Sequence, residues 1–214
     1  MADPGSNALL LVISGPSGGG KTTLCQHLLA ARPALTRAVT CTTRPPRPGE
    51  RDGVDYYFLD GAAFEQRVAT GAFVEHATVY GHRYGTLKSE LRAKLRLGQD
   101  VLLSVDVQGV ASIRAQAQQD LELRRAMALV FLTPPSLAEL EARLRRRGSD
   151  TSEVIARRLC VARQEITEWT HFDYLLLSTT VAEDLRRMLV IYEAEQMRQA
   201  RATLPDGLRV HSEA

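Results

Sequence analysis

Residues 8–14 (ALLLVIS) form an apolar run that passes directly into GPSGGGKT at residues 15–22, and this junction limits what the chain can fold into more than any other feature. An apolar run without polar alternation, stopped by Gly and Pro, reads as a strand buried on both faces, which implies a parallel sheet. The residues that follow match the spacing G-x4-G-K-[S/T] and precede a helical run at residues 23–31. In that setting Gly15, Gly18, Gly19 and Gly20 let successive backbone N–H groups curl around a phosphate, with Pro16, Ser17 and Thr23 completing the loop. The helix N-terminus behind them adds positive potential. Lys21 is expected to bridge the β- and γ-phosphates of a bound ATP, and the Thr22 hydroxyl to hold the accompanying Mg2+. Only three of the 27 basic residues are Lys. Finding one here fits a site that needs a compact point charge, and counts against a Gly-rich turn that binds nothing.

Similar apolar runs recur at residues 101–105, 126–132 and 174–177, separated by segments of helical periodicity. That alternation is the pattern of an α/β fold with a central parallel sheet flanked by helices. A length of 214 residues suits one core carrying inserted parts. The second strand is expected near residues 37–40, and the stretch between it and residue 101, with its Pro, Gly and Tyr clusters, reads as an inserted subdomain. Ser136 with Glu139 and Thr180 with Glu183 have capping-box spacing and mark two helix starts. Leu185, Met188, Leu189 and Tyr192 form a stripe at helical spacing that either docks on the core or makes a homo-oligomer contact. Residues 1–7 and 205–214 read as loose, flexible termini.

The net charge is +2, and the basic residues are spread over helical segments rather than gathered in a tail, which counts against a polynucleotide partner. Cys25, Cys41 and Cys160 are odd in number and widely spaced, so neither a disulfide framework nor a zinc site is expected. No basic n-region or membrane-length apolar run is seen, and the expected location is cytoplasmic, away from membranes. Trp169, His171 and Cys160 read as packing groups, and Cys41 as an inert thiol.

The acceptor is addressed by residues 40–50, TCTTRPPRPGE. Arg44 and Arg47 flank two prolines that fix φ and keep the stretch from becoming a helix, so their guanidinium groups can be held ready for a second phosphate. The bland alternative is a pair of solvated loop arginines.

At this point the chain resembles the guanylate kinase family over residues 9–201. The matching pieces are GPSGGGKTT at 15–23, TTRPPRPGE at 42–50, GVDYYF at 53–58, GAFVEHATVYGHRYGT at 71–86, VDVQG at 105–109, TPPS at 133–136, RLRRRG at 143–148 and ARRL at 156–159. The resemblance implies a P-loop NTPase fold in a single domain at 8–204. Its core would be residues 8–39 and 98–204, with a small GMP-binding subdomain at about 40–92 and a helical lid at about 143–158. Arg44, Arg47, Tyr56 and Tyr84 would hold the GMP phosphate, Thr40, Glu75 and Thr86 would read guanine, and Asp106 would lie near the substrates or the metal shell. Guanine independently favours Glu75: its N1–H and exocyclic N2 amine form a two-donor edge suited to a carboxylate, whereas adenine would leave a buried charge unpaired.

The implied reaction is in-line transfer of the ATP γ-phosphate to GMP, giving ADP and GDP. Two anions must meet, so Lys21, Arg44, Arg143, Arg147 and Arg158 are the candidate catalytic cations, with Arg147 and Arg158 reaching across from the lid. Arg145 and Arg146 read as a solvated helix face. Ser104 stands where the family usually has an acidic residue, which leaves Asp106 as the remaining carboxylate there; Ser178 stands where the family generally has Asn on the adenine side, which suggests looser donor selectivity. Two rivals remain. A peptide-binding module of the same fold should lack a working phosphate loop, and a kinase acting on a ribose bisphosphate would have no use for Thr40 or Glu75 as base readers.

Overall fold

The computed structural model describes residues 8–79, 81–146, 148 and 150–202. In chain order, β1 (Leu10–Ser14) is followed by α1 (Lys21–Ala31), β2 (Leu35–Arg37), β3 (Cys41–Thr42), β4 (Tyr57–Phe58), α2 (Gly61–Ala69), β5 (Phe73–Val79) and β6 (His82–Leu87). Then come α3 (Lys88–Arg96), β7 (Asp100–Ser104), α4 (Val107–Ala117), α5 (Leu121–Ala126), β8 (Met127–Thr133) and α6 (Leu137–Arg146). The chain closes with α7 (Ser152–Thr167), a 3-10 turn (Glu168–His171), β9 (Tyr174–Leu177) and α8 (Val181–Gln196).

The main sheet has five parallel strands in the order β2-β7-β1-β8-β9. The apolar run of β1 is central because both faces need cover. Leu10 and Val12 pack with Val101, Leu103 and Leu129 against Leu91 and Leu95 of α3 and Val110 and Ile113 of α4. Leu9, Leu11 and Ile13 pack on the opposite face with Leu24 and Leu28 of α1 and Met188 and Tyr192 of α8. Each such side chain contributes roughly 1.5–3 kcal/mol when fully buried. The α8 stripe is thus spent on docking, with Met188 and Tyr192 buried and Leu185 and Leu189 packed beside them.

A second sheet, β4-β3-β6-β5, pairs β3 parallel to β4 and antiparallel to β6. It has its own small core, in which Phe64 of α2 stacks on Phe73 of β5 with ring centres 4.6 Å apart, beside Cys41. The Gln116 amide of α4 joins the two parts by donating to the carbonyls of Phe73 (3.1 Å) and Val74 (2.8 Å). A further separate cluster, Leu140, Leu144, Ile155 and Ala162, holds α6 to α7.

Several expectations shift in detail. The second strand ends at Arg37; Ala38 still donates to Leu102 O, after which the backbone leaves for the second sheet. Helix α1 begins at Lys21, directly on the Gly-rich loop. Ser136 and Thr180 cap their helices by accepting from the N–H of Glu139 (3.1 Å) and Glu183 (3.2 Å). The two carboxylates turn instead to arginines, Glu139 to Arg143 and Arg146, and Glu183 to Arg186 and Arg187. Trp169, His171 and Cys160 are exposed, so the packing role expected for them is corrected: the 3-10 turn and this side of α7 face solvent. Cys41 is fully buried, and burial pushes its thiol up to about 11, in keeping with an inert role. No helix among the described residues is long and apolar enough to cross a membrane.

Candidate active site

The carboxyl ends of β2, β7 and β1 open toward the second sheet, the place where open parallel sheets bind ligands. After β1 the backbone turns at Gly15 with φ 139°, where a Cβ would stand 2.0 Å from Leu132 O, so only glycine fits. Gly18, at φ 92°, lies so close to α6 that a Cβ would meet the Leu144 side chain at 2.9 Å. The Lys21 ammonium folds over the loop, donating to Gly15 O (2.5 Å) and Pro16 O (3.1 Å). Behind it, α1 points its N-terminal N–H groups into the same space.

A cleft of about 550 Å³ separates this loop from the second sheet. Lys21 and Thr22 line one wall, Thr40, Tyr56, Glu75 and Tyr84 the other, and Ser104 and Asp106 the floor. Antiparallel pairing sets Glu75 of β5 opposite Thr86 of β6, whose hydroxyl donates to Glu75 Oε1 at 2.6 Å. Glu75 is only 5% exposed and Thr86 fully buried. Burial pushes the Glu75 carboxyl up to about 7; the Thr86 hydrogen bond opposes this, and the Asp106 charge adds to it. Asp106 caps α4 by accepting from the N–H of Gly109 at 2.7 Å. Gly109 itself is small enough to let Glu75 Oε2 approach: a Cβ there would lie 3.3 Å from it.

Arg44 follows β3 with its guanidinium carbon 5.4 Å from the centre of the Tyr56 ring, which meets the Tyr84 ring edge-on at 6.2 Å. Neither arginine lines the cleft itself: Arg44 is buried behind Tyr56, which does, and Arg47 is exposed. A second cavity, of about 430 Å³, touches the other side of the loop at Gly18, Gly20 and Thr23 and is bounded by Arg143, Ser178 and Thr179. Five hydrogen bonds leave the Arg143 guanidinium, to Glu139 Oε1, Gly19 O, Ser178 Oγ, Ser178 O and Thr179 O. Arg143 therefore fastens α6 to the end of β9 and to the phosphate loop. Arg158 lines neither cavity and pairs with Asp150 at 3.0 Å. Arg147 lies outside the described residues.

The family model described as Guanylate kinase matches residues 7–195. The chain belongs to the guanylate kinase family. It is 42% identical over 193 residues to a guanylate kinase of Sphingopyxis alaskensis, covering 90% of this chain and 85% of that one. Against a guanylate kinase of Syntrophotalea carbinolica it is 43% identical over 195 residues, 91% and 90% of the two chains. Its fold is similar to the crystal structure of guanylate kinase from Anaplasma phagocytophilum, with a TM-score of 0.70 and 31% identity over 92% of this chain and 90% of that one.

Within this guanylate kinase family member, the two serines expected to depart from the family pattern, Ser104 and Ser178, have different surroundings. Ser104 lines the cleft beside Cys25, whose thiol burial pushes up to about 11 against the opposing pull of the Ser104 side chain. The Ser178 hydroxyl donates to Asp184 at 2.5 Å and accepts from Arg143 at 2.8 Å, so it is committed within the protein. Two further charged groups face the site without having been singled out. Arg37 ends β2, lines the cleft and sits 5.5 Å from the Tyr56 ring centre. The available signal was its place at the carboxyl end of a parallel strand. Glu165 of α7 lines neither cavity but lies near enough to Lys21 for that charge to oppose the upward push of burial on its carboxyl. Its Oε2 is buried without a hydrogen-bond partner among the described residues. Its helical periodicity gave no hint of that position.

Proposed function

We propose that this protein transfers the γ-phosphate of ATP to GMP, giving ADP and GDP. The observation that carries the reading is the buried Glu75–Thr86 pair at the far end of a cleft whose near wall is Lys21 and Thr22. Guanine offers two donors to an ionised carboxylate, and Thr86 orients that carboxylate while Thr40 and Asp106 flank it. Between base and phosphate loop, Arg44, Tyr56 and Tyr84 take the acceptor phosphate, with Arg47 at the rim. The second sheet then serves as the acceptor-binding subdomain at about 40–92, and residues 143–158 serve as the lid contributing Arg143, Arg147 and Arg158.

Lys21 and the N–H groups at the start of α1 neutralise the donor phosphates, and the acceptor phosphate oxygen attacks in line. No side-chain nucleophile is required. Among the described residues no group of three or more His, Cys, Asp and Glu forms a metal centre. The donor set nonetheless fits Mg2+, which takes few protein oxygens and fills its shell from phosphate and water. Thr22 is the hydroxyl that would hold it, and the ion would offset charge on the β- and γ-phosphates. Free thiols at Cys25, Cys41 and Cys160 suit a reducing cytoplasm.

The test is a coupled assay of ADP release with ATP and Mg2+, offering GMP, AMP, CMP, UMP or no acceptor in parallel. Turnover with GMP should exceed that with AMP by at least about 10²-fold, since a site that leaves a buried polar group unpaired can discriminate by ~10⁴-fold. Equal use of all acceptors, or none, would defeat the reading.

A further inference from the structure

A tight turn follows the two prolines of the acceptor segment. The N–H of Glu50 donates to Arg47 O at 3.0 Å, and Gly49, at φ 87°, lets the backbone reverse. The reversal brings the Glu50 carboxylate back onto Arg44. Both its oxygens accept from Arg44 Nη2, at 2.8 and 2.9 Å, and Oε2 also accepts the N–H of Arg47 at 2.7 Å. The other terminal nitrogen, Nη1, donates to Pro45 O at 2.7 Å. The rings of Tyr56 and Phe58 stand 5.4 and 6.0 Å from the guanidinium carbon. The group is held in its plane and along one end, and only 9% of Arg44 is exposed.

We infer that Glu50 is a positioning residue for the acceptor phosphate: it fixes the Arg44 guanidinium so that the Nε–H and the second Nη1–H are already ordered when the phosphate arrives. The inference rests on the proposed use of the cleft for GMP. An unrestrained Arg gives up most of its rotamer freedom on binding an anion, whereas a clamped one has already done so. Glu50 also carries a negative charge near an incoming dianion. Ordering and repulsion therefore act in opposite directions on affinity, and the sign of the effect of removing Glu50 tells which prevails. The Arg47 N–H and the Arg44 cation both hold the Glu50 carboxyl below its usual range, Arg44 most strongly, so its charge is locally compensated. Ordering prevails in this reading.

The experiment compares wild type, Glu50→Gln and Glu50→Ala by steady-state kinetics with GMP and ATP, and by calorimetric binding of GMP and of guanosine. The expected result is a rise in KM and Kd for GMP of about tenfold in Glu50→Ala, on the order of one frozen Arg side chain. Glu50→Gln should rise less, with kcat, KM for ATP and guanosine binding within twofold of wild type. In an Arg44→Ala background, Glu50→Ala should add less than twofold, because its partner is gone. A fall in KM for GMP in Glu50→Gln overturns the inference, since Glu50 would then compete with the phosphate. So does a loss of guanosine binding equal to that of GMP, which marks general damage to the subdomain. If wild type itself does not turn over GMP, it is the kinase reading that fails.

Discussion

Replacing Glu75 with Gln removes a charge that the ligand-free protein holds in a buried place, and its effect on stability can be worked through. The carboxyl, ordinarily at 4.5, is pushed up to about 7 by burial. Between those two values the unfolded chain has released its proton while the folded chain still keeps it, so stability falls as pH rises through this window. Above about 7 the whole difference acts against folding, on the order of 3 kcal/mol at ~1.4 kcal/mol per pH unit. Gln keeps an oxygen for the Thr86 hydroxyl, so the hydrogen bond at 2.6 Å has a counterpart in the variant. Glu75→Gln should therefore melt roughly 6–12 °C above wild type at pH 8 without nucleotides, using ~2–4 °C per kcal/mol for a chain of this size. At pH 5 the gain should shrink below ~1 kcal/mol. Differential scanning calorimetry of both proteins at the two pH values decides the matter. An equal shift at both, or none at pH 8, would refute the claim that burial of the ionised carboxylate is the cause.

Other outcomes follow from the same geometry. KM for GMP should rise about tenfold per pH unit below pH ~7, because a protonated Glu75 cannot accept both guanine donors, while KM for ATP stays flat; initial-rate profiles from pH 5.5 to 8 check this. Lys21→Met should lower kcat by roughly 10³-fold with the melting temperature kept, as expected for the cation at the transferring phosphate. Arg37→Ala should raise KM for GMP by roughly three- to tenfold, the loss of one exposed cation beside Tyr56, with little change in kcat.

The parts of this molecule that were legible in its sequence are those whose physics is local. An apolar run of strand length followed by glycines at fixed spacing can place β1 and the phosphate loop, because burial and backbone freedom are read within a few residues. The side-chain partnerships were not legible. Thr86 reaches Glu75 only because β5 and β6 pair antiparallel, with an irregularity in register between Phe73 and Glu75, and no periodicity announces that register. Glu50 lies six residues from Arg44, yet the bond needs a turn whose closure depends on Gly49. Arg143 has helical spacing like its neighbours Arg145 and Arg146, but it alone of the three reaches the carbonyls of Gly19, Ser178 and Thr179. Arg37 and Glu165 face the site through the packing of whole elements, which a sequence window does not contain.

The second sheet and the α6–α7 pair each have a small apolar cluster of their own, and the second sheet also lends Val74 of β5 to the core on one face of the main sheet. In mechanical terms the main sheet is a frame bearing two attachments, each with ballast of its own. Their fasteners include the Gln116 amide on the Phe73 and Val74 carbonyls, and Arg143 on Gly19, Ser178 and Thr179. Exchanging such a polar fastener for water has a modest net cost, whereas withdrawing Val74 from the shared core has a larger one. The frame and its attachments are thus joined by fasteners of both kinds, polar and apolar.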